Sequence, residues 1–478
     1  MQGGTWKPKA GDRIVRHPRE EQISPVHFEI TTPRAQSRAL ASPIVLLYSF
    51  IGFILAGTLL LLLPFTSQAG GFTPFVDALF TATSAVTVTG LVIQDTATYW
   101  TPAGQAIILA LIFIGGLSFM AIATFLLILI GRRLSLGQRM LARDSYQINQ
   151  LGGLARLTVK IVLVAAGIQI AGFVALAIRF SLLSDLEGQP IWQALFQAVS
   201  GFNSAGFVNL PEGESLSVFR TDKVVLGIMG LLIFLGAISY FVMVDVARLR
   251  RFSLFALNTK VVLILTGLLT LSGALVFFTS EFDNPNTLGE LGIGDKIMVS
   301  VFESTSGRTA GFSTVSYDET AQHTNFFFTA LMFIGGASAS VAGGIKINTL
   351  GVVLIAVLST LGGRAHTRAF GREIPHIQVQ RATVIAVMAL IVVFLFALVL
   401  TFSEPEFAFI DLLFEVVSAF GTVGLSTGLT HDLSQGGHII LIVAMFLGRV
   451  GPFTLGLMMV ERGENDLYRY AQERVTIA

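Results

Sequence analysis

Four short segments of this 478-residue sequence share a pattern that does its chemistry with the backbone alone: Thr87-Val88-Thr89-Gly90, Asn203-Ser204-Ala205-Gly206, Arg308-Thr309-Ala310-Gly311 and Gly421-Thr422-Val423-Gly424. A bulky apolar residue follows each glycine (Leu91, Phe207, Phe312, Leu425), and Ser84, Ser200, Thr305 or Ser418 stands six residues before it. Phe80, Phe196 and Phe414 stand ten before, with Val301 in that place in the third segment. The glycines are 116, 105 and 113 residues apart, which is an internal fourfold repeat. Four such turns converging on one axis would ring it with main-chain carbonyls, which can replace the hydration shell of a cation. Glycine is required because bending backbone toward an ion takes φ values that other residues avoid. Any one of these glycines alone reads as a helix-packing site. Four in register read as the lining of a pore.

Turns of this kind need half-length helices held inside a membrane, and the composition supplies the setting. Hydrophobic residues make up 53% of the chain and charged residues 13%, against roughly 25% charged in a soluble domain. Mean hydropathy is +0.74. A soluble enzyme, a disordered chain and a fibrous protein are all excluded. Net charge is +1, so there is no bulk basic footprint for nucleic acid. Cysteine is absent, which excludes disulfides, iron–sulfur clusters and thiolate zinc sites, and the histidines show no metal-ligand spacing.

Apolar runs at about 43–65, 103–131, 157–180, 223–245, 258–279, 325–360, 383–402 and 437–460 predict eight spans. Arginines follow the even-numbered runs: Arg132, Arg133, Arg139 and Arg143, then Arg248, Arg250 and Arg251, then Arg364, Arg368, Arg372 and Arg381. The other connections carry acids, among them Asp185, Glu187, Glu212, Glu214, Glu281, Asp283, Asp318, Glu319, Glu404 and Glu406. The positive-inside rule then puts the arginine loops and both termini in the cytosol, with an acidic face outside to concentrate cations. Seven basic residues in the first 40 fit a cytosolic tail. Each outer connection contains a segment such as Pro74–Val86, about 20 Å long as helix, that enters the bilayer without crossing it. Its C-terminal, negative dipole end would point at the axis.

Two further features fall inside predicted spans. The run 325–360 is too long for one helix, and its middle holds Gly335, Gly336, Ser338, Ser340, Gly343, Gly344 and Lys346. That composition predicts a break with a flexible loop below the turns. A phosphate-binding loop is the competing reading, but the spacing fails its pattern and the strand–loop–helix context is missing. Arg449 lies far from both ends of the last run, so it faces a wet cavity or a partner rather than snorkelling to an interface. Gly115-Gly116 and Gly236-Ala237 are expected to let helices bend or pack. Glu303 and Glu415 are expected to hydrogen-bond behind the turns, and Arg308 to point outward and pair with Glu303.

The four glycine segments resemble the filter signatures of the Trk/Ktr/HKT superfamily of potassium transporters, over about residues 43–460. The first apolar run leads directly into the first segment, as in a Ktr-type membrane subunit. The resemblance implies an all-α polytopic membrane protein of four fused membrane–pore-loop–membrane repeats with pseudo-fourfold symmetry about a central pore. It implies potassium ions on the backbone carbonyls of Thr87–Gly90, Asn203–Gly206, Arg308–Gly311 and Gly421–Gly424, with potassium preferred because all four glycines are kept. It further implies that the loop 335–346 acts as a gate with Arg449 as an electrostatic barrier. The expected partners are a second copy of the chain, the lipid bilayer and a cytosolic RCK/KTN-type ring that carries a nucleotide (ATP/ADP or NAD); no nucleic acid, covalent cofactor or transition metal is expected.

The expected organisation is a cytosolic tail at 1–42, repeats at 43–145, 146–250, 251–370 and 371–461, and a cytosolic tail at 462–478 in the cell membrane. Two other functions compete. An intramembrane enzyme would need facing reactive groups, and no such pair is present. A secondary transporter coupling potassium to sodium or protons is compatible with the same filter.

Overall fold

The computed structural model describes residues 43–116, 154–183, 186–210 and 215–451. The basic N-terminal tail, Arg132, Arg133, Arg139, Arg143, Asp185, Glu212, Glu214 and the C-terminal tail lie outside the described residues.

Uninterrupted apolar sequence gives long helices. Helix α1 spans Pro43–Leu61. The short α2 (Phe75–Thr87) and α3 (Pro102–Gly116) follow it. Next come α4 (Leu154–Ser181), α5 (Pro190–Phe202), α6 (Lys223–Ala237) and α7 (Tyr240–Leu249). After them come α8 (Leu257–Glu281), α9 (Ile293–Thr309), α10 (Gln322–Met332) and α11 (Ile347–Leu361). The last are α12 (His376–Ser403), α13 (Phe409–Gly421) and α14 (Gln435–Val450). Among the described residues, α8, α12 and Arg156–Ser181 of α4 are each long and apolar enough to cross a membrane alone. Their surfaces stay apolar where they are exposed, as at Leu271, Phe394 and Leu398, which is what lipid contact requires.

Helices α2, α5, α9 and α13 are too short to cross a hydrocarbon core of about 30 Å, and they are the most buried elements. From Phe80 to Thr87 every residue of α2 is buried, as is every residue of α13 from Phe414 to Gly421. Proline at the start of α5 sets φ for the first turn without losing a needed donor. Each short helix packs on the helix after it (α2 on α3, α5 on α6, α9 on α10, α13 on α14) and on one from its neighbour: α5 on α3, α9 on α6, α13 on α10 and α2 on α14. The last contact brings the end of the chain back to its beginning.

The helices that follow the turns carry small residues where the short helices end against them. The run expected as one span at 223–245 is broken: α7 leaves α6 at 101°, just past Gly236-Ala237. The run 325–360 is broken as expected, with α10 ending at Met332 and α11 starting at Ile347. The glycines at these ends admit close neighbours. An added Cβ on Gly115, Gly236 or Gly448 would lie 2.1, 1.9 or 1.8 Å from the carbonyl oxygen of Val86, Phe202 or Phe420, at the ends of α2, α5 and α13.

Two connections meet at one end of the molecule. The 252–255 turn and a small hairpin, β1 (Arg368–Ala369) with β2 (Arg372–Glu373), touch through Phe252 and Phe370, with Lys260 over both rings. Arg248, Arg250, Arg251, Arg364, Arg368, Arg372 and Arg381 are all exposed in these connections. At the opposite end the acids are not all surface charges. Glu281 is fully buried and accepts from Thr287, Thr324, Asn284 and the Ala321 N–H. Glu404 is buried and accepts from Ser434. These two cap the packing of helices rather than contribute to an acidic outer face.

Candidate ion-conduction site

The four glycine turns lie against one another in a cycle. An added Cβ on Gly90 would lie 2.4 Å from the carbonyl oxygen of Ala205; on Gly206, 2.8 Å from that of Ala310; on Gly311, 2.2 Å from that of Val423; and on Gly424, 2.1 Å from that of Thr89. Four steps return to the first turn. The carbonyls of Thr89, Ala205, Ala310 and Val423, each just before its glycine, therefore occupy one level. All four glycines have positive φ, between 71° and 96°, where a side chain is disfavoured.

The turns are strained in a consistent way. Val88, Ser204 and Thr422 hold left-handed φ of 58°, 56° and 49°, uncommon outside glycine and most costly for the β-branched Val88 and Thr422. Such strain persists where surrounding structure over-determines it, and hydrogen bonds here do so. Ser84 Oγ accepts from the Gly90 N–H at 3.0 Å, and Ser418 Oγ from the Gly424 N–H at 3.1 Å. The equivalent Ser200 instead donates to the Phe207 carbonyl, and Thr305 to the Val301 carbonyl.

The third turn departs from the others. Helix α9 runs on through Arg308 and Thr309, and Ala310 caps it with a φ of −133°. Arg308 is buried and does not pair with Glu303. It is 2% exposed, and its Nε and Nη1 have no partner among the described residues. Five residues apart on a helix, the two side chains project about 140° from one another, so the expected pairing was geometrically barred.

Glu303 is engaged behind the turn, as expected. It accepts from the Thr314 N–H (2.6 Å), the Thr314 hydroxyl (2.8 Å) and the Tyr317 hydroxyl (3.0 Å). Glu415 does the same in the fourth segment, with Ser426 (2.6 Å), the Thr427 N–H (3.0 Å) and Thr430 (2.7 Å). In the first two segments, pairs absent from the sequence reading take this place: Gln94 donates to Asp77 at 2.9 Å and Gln197 to Asn209 at 3.3 Å. Each short helix is thus tied to the strand leaving its turn.

Residues 333–346 form the loop beside the fourth turn. An added Cβ on Gly343 would lie 2.1 Å from Thr422 Oγ1, and on Gly344, 3.2 Å from the Gly421 carbonyl oxygen. The Ala337 and Val341 N–H groups donate to the carbonyls of Ala237 and Gly236, at the break between α6 and α7. Arg449, near the end of α14, donates Nη1 to the Val341 carbonyl and Nη2 to the Gly115 carbonyl. Lys346 donates to the Ala342 carbonyl within the loop. Gly335, Gly336, Ser338, Ser340, Gly343, Gly344, Lys346 and Arg449, scattered over 115 positions, are thereby one assembly.

A helical membrane protein whose most buried feature is a cycle of backbone carbonyls has the chemistry of a cation transporter. The sequence matches the TrkH family, described as cation transport protein, over residues 26–468, and the chain belongs to that family. It is 38% identical over 435 residues to "Ktr system potassium uptake protein B" of Bacillus subtilis, covering 91% of this chain and 96% of the relative. It is 38% identical to the protein of the same name from Vibrio alginolyticus (91% and 94% covered), and 36% identical to "Potassium/sodium uptake protein NtpJ" of Enterococcus hirae (94% and 100% covered). The fold is similar to the crystal structure of the potassium transporter TrkH from Vibrio parahaemolyticus, with a TM-score of 0.68 over 90% of this chain and 86% of that one at 18% identity. The resemblance read from the glycine segments is borne out.

Proposed function

We propose that this chain takes up potassium through a channel-like pore whose selectivity filter is the four-membered carbonyl cycle. The observation that carries the reading is the closed order Gly90–Ala205, Gly206–Ala310, Gly311–Val423, Gly424–Thr89. Four short helices and their turns form four repeats with pseudo-fourfold symmetry about the axis of that cycle. Their C-terminal dipole ends favour a cation there, and carbonyl oxygens substitute for its water shell. The names of the relatives point to potassium, one of them to sodium as well.

In this reading the loop 333–346 is the gate. It lies against the fourth turn, and Arg449 holds it while placing a positive charge below the filter. The subunit works as a homodimer with a cytosolic RCK/KTN-type nucleotide-binding ring. The word "system" in the relatives' names supports a second component, and the exposed arginines of the 248–251 and 364–381 connections offer it a surface. The same arginines support a cytosolic side for both termini by the positive-inside rule. The test is potassium uptake by a host without its own uptake systems. The chain should restore growth at low potassium, and a Gly90→Ser variant expressed to the same level should not.

A further inference from the structure

Two side chains from outside the loop 333–346 hold its backbone among the described residues. One is Arg449. The other is Asn348, in the first turn of α11, whose Oδ1 accepts from the Ser338 N–H at 2.7 Å. The Nδ2 of Asn348 donates in turn to Asn258 Oδ1, in the first turn of α8. Asn258 is exposed and lines an open cleft of about 460 Å³ with Phe241, Asp245, Arg248 and Thr259. Asp245 of α7 reaches across to accept from the Ala256 N–H at 3.0 Å, at the start of α8. Hydrogen bonds therefore join α7 to the head of α8, and the head of α8 to Asn348 and the loop.

We propose that Asn258 and Asn348 are positioning residues that latch the loop, and that displacement of the α7–α8 connection is transmitted to the loop through them. The proposal rests on the reading of the loop as a gate. Its physical basis is that Asn348 joins the loop to the head of α8, which lies open to the cleft. The Gly335–Ile345 bond closes the loop on itself, the Ile347–Gly336 bond ties it to α11, and Ala237 and Gly236 hold it to the break between α6 and α7. Asn348 ties the loop to Asn258, a residue open to the cleft. Ser338 and Val341, which take the Asn348 and Arg449 contacts, flank the turn at Ala339, where φ is 62°.

The test uses the full chain in proteoliposomes, with and without a cysteine at Ser340. The sequence has no native cysteine, so labelling reports that position alone. Asn348→Ala and the exposed Asn258→Ala should each raise potassium flux and the rate of Ser340→Cys labelling by roughly five-fold, the factor that one net hydrogen bond sets in a two-state equilibrium. The double variant should do no more than Asn348→Ala, because both act on one latch. Arg449→Ala serves as the reference. If it raises flux while both asparagine variants match the parent in flux and labelling, the latch is refuted and the gate stands. If Arg449→Ala is also without effect, the gate reading fails and the latch with it. Additive effects of the two asparagine variants would refute the coupling between them.

Discussion

The carbonyl oxygen of Thr89 lies where a side chain on Gly424 would begin, 2.1 Å from the ideal Cβ position. Residues 335 positions apart in the sequence thereby seal the last gap in the cycle. Any side chain added here strikes backbone that cannot swing aside, and φ is already 96°. Each turn of the cycle is braced by the next.

A substitution at one turn should therefore be felt as selectivity. In Gly90→Ser the added Cβ meets the Ala205 carbonyl at 2.4 Å. If the cycle is the filter proposed above, displacing that oxygen loosens the cage around an ion stripped of water. The strain of a side chain at this φ is about 1–2 kcal/mol, enough to shift the potassium-to-sodium uptake ratio about ten-fold toward sodium. Competitive uptake of the two ions by cells expressing equal amounts of each variant would read it. An unchanged ratio would remove the turn from the filter.

Arg449 makes two hydrogen bonds from a charged donor, one to the loop and one to Gly115. Bonds to charged groups are worth about 1.5–3 kcal/mol. Arg449→Ala should raise basal potassium flux about ten-fold or more and weaken its dependence on a cytosolic partner. Apparent affinity should stay near that of the parent, since the carbonyl cycle is untouched.

Glu303 and Glu415 each gather three hydrogen-bond donors at a fully buried carboxylate. Replacing either with glutamine leaves one of those donors facing an amide N–H, at a cost of about 1–3 kcal/mol. Glu415→Gln and Glu303→Gln should lower the thermal unfolding midpoint in detergent by several degrees, whereas Asp77→Asn, which is half-buried and keeps its acceptor, should move it little. Equal shifts in all three would mean that the tie has no special role in the third and fourth segments.

Much of this site was legible before any coordinates. The glycines announced themselves because only a demanding φ explains four of them in register, and the loop because glycine and lysine are costly in a spanning helix. Arg449 was legible for the same reason: a charge at that depth needs a partner. What was hidden depends on contacts that leave no periodic trace. Asn258 and Asn348 are ordinary asparagines 90 positions apart. Asp77–Gln94 and Gln197–Asn209 do the same work as Glu303 and Glu415 with different residues at different offsets. The bend at Gly236-Ala237 was foreseen in kind but not in size, because its 101° turn is accompanied by long-range bonds from the loop amides to the freed carbonyls. Arg308 was misjudged because its charge was matched to a nearby acid without regard to helical phase.

The most direct test of the account is flux of labelled potassium into liposomes that contain the purified chain and, as the only driving force, a potassium gradient. A filter made of carbonyls needs no second ion, so potassium should enter down its gradient with sodium absent and pH equal on both sides, and Arg449→Ala should hasten it. Uptake that appears only when a sodium or proton gradient is imposed, in parent and Arg449→Ala alike, would contradict a channel-like pore and make the chain a coupled carrier.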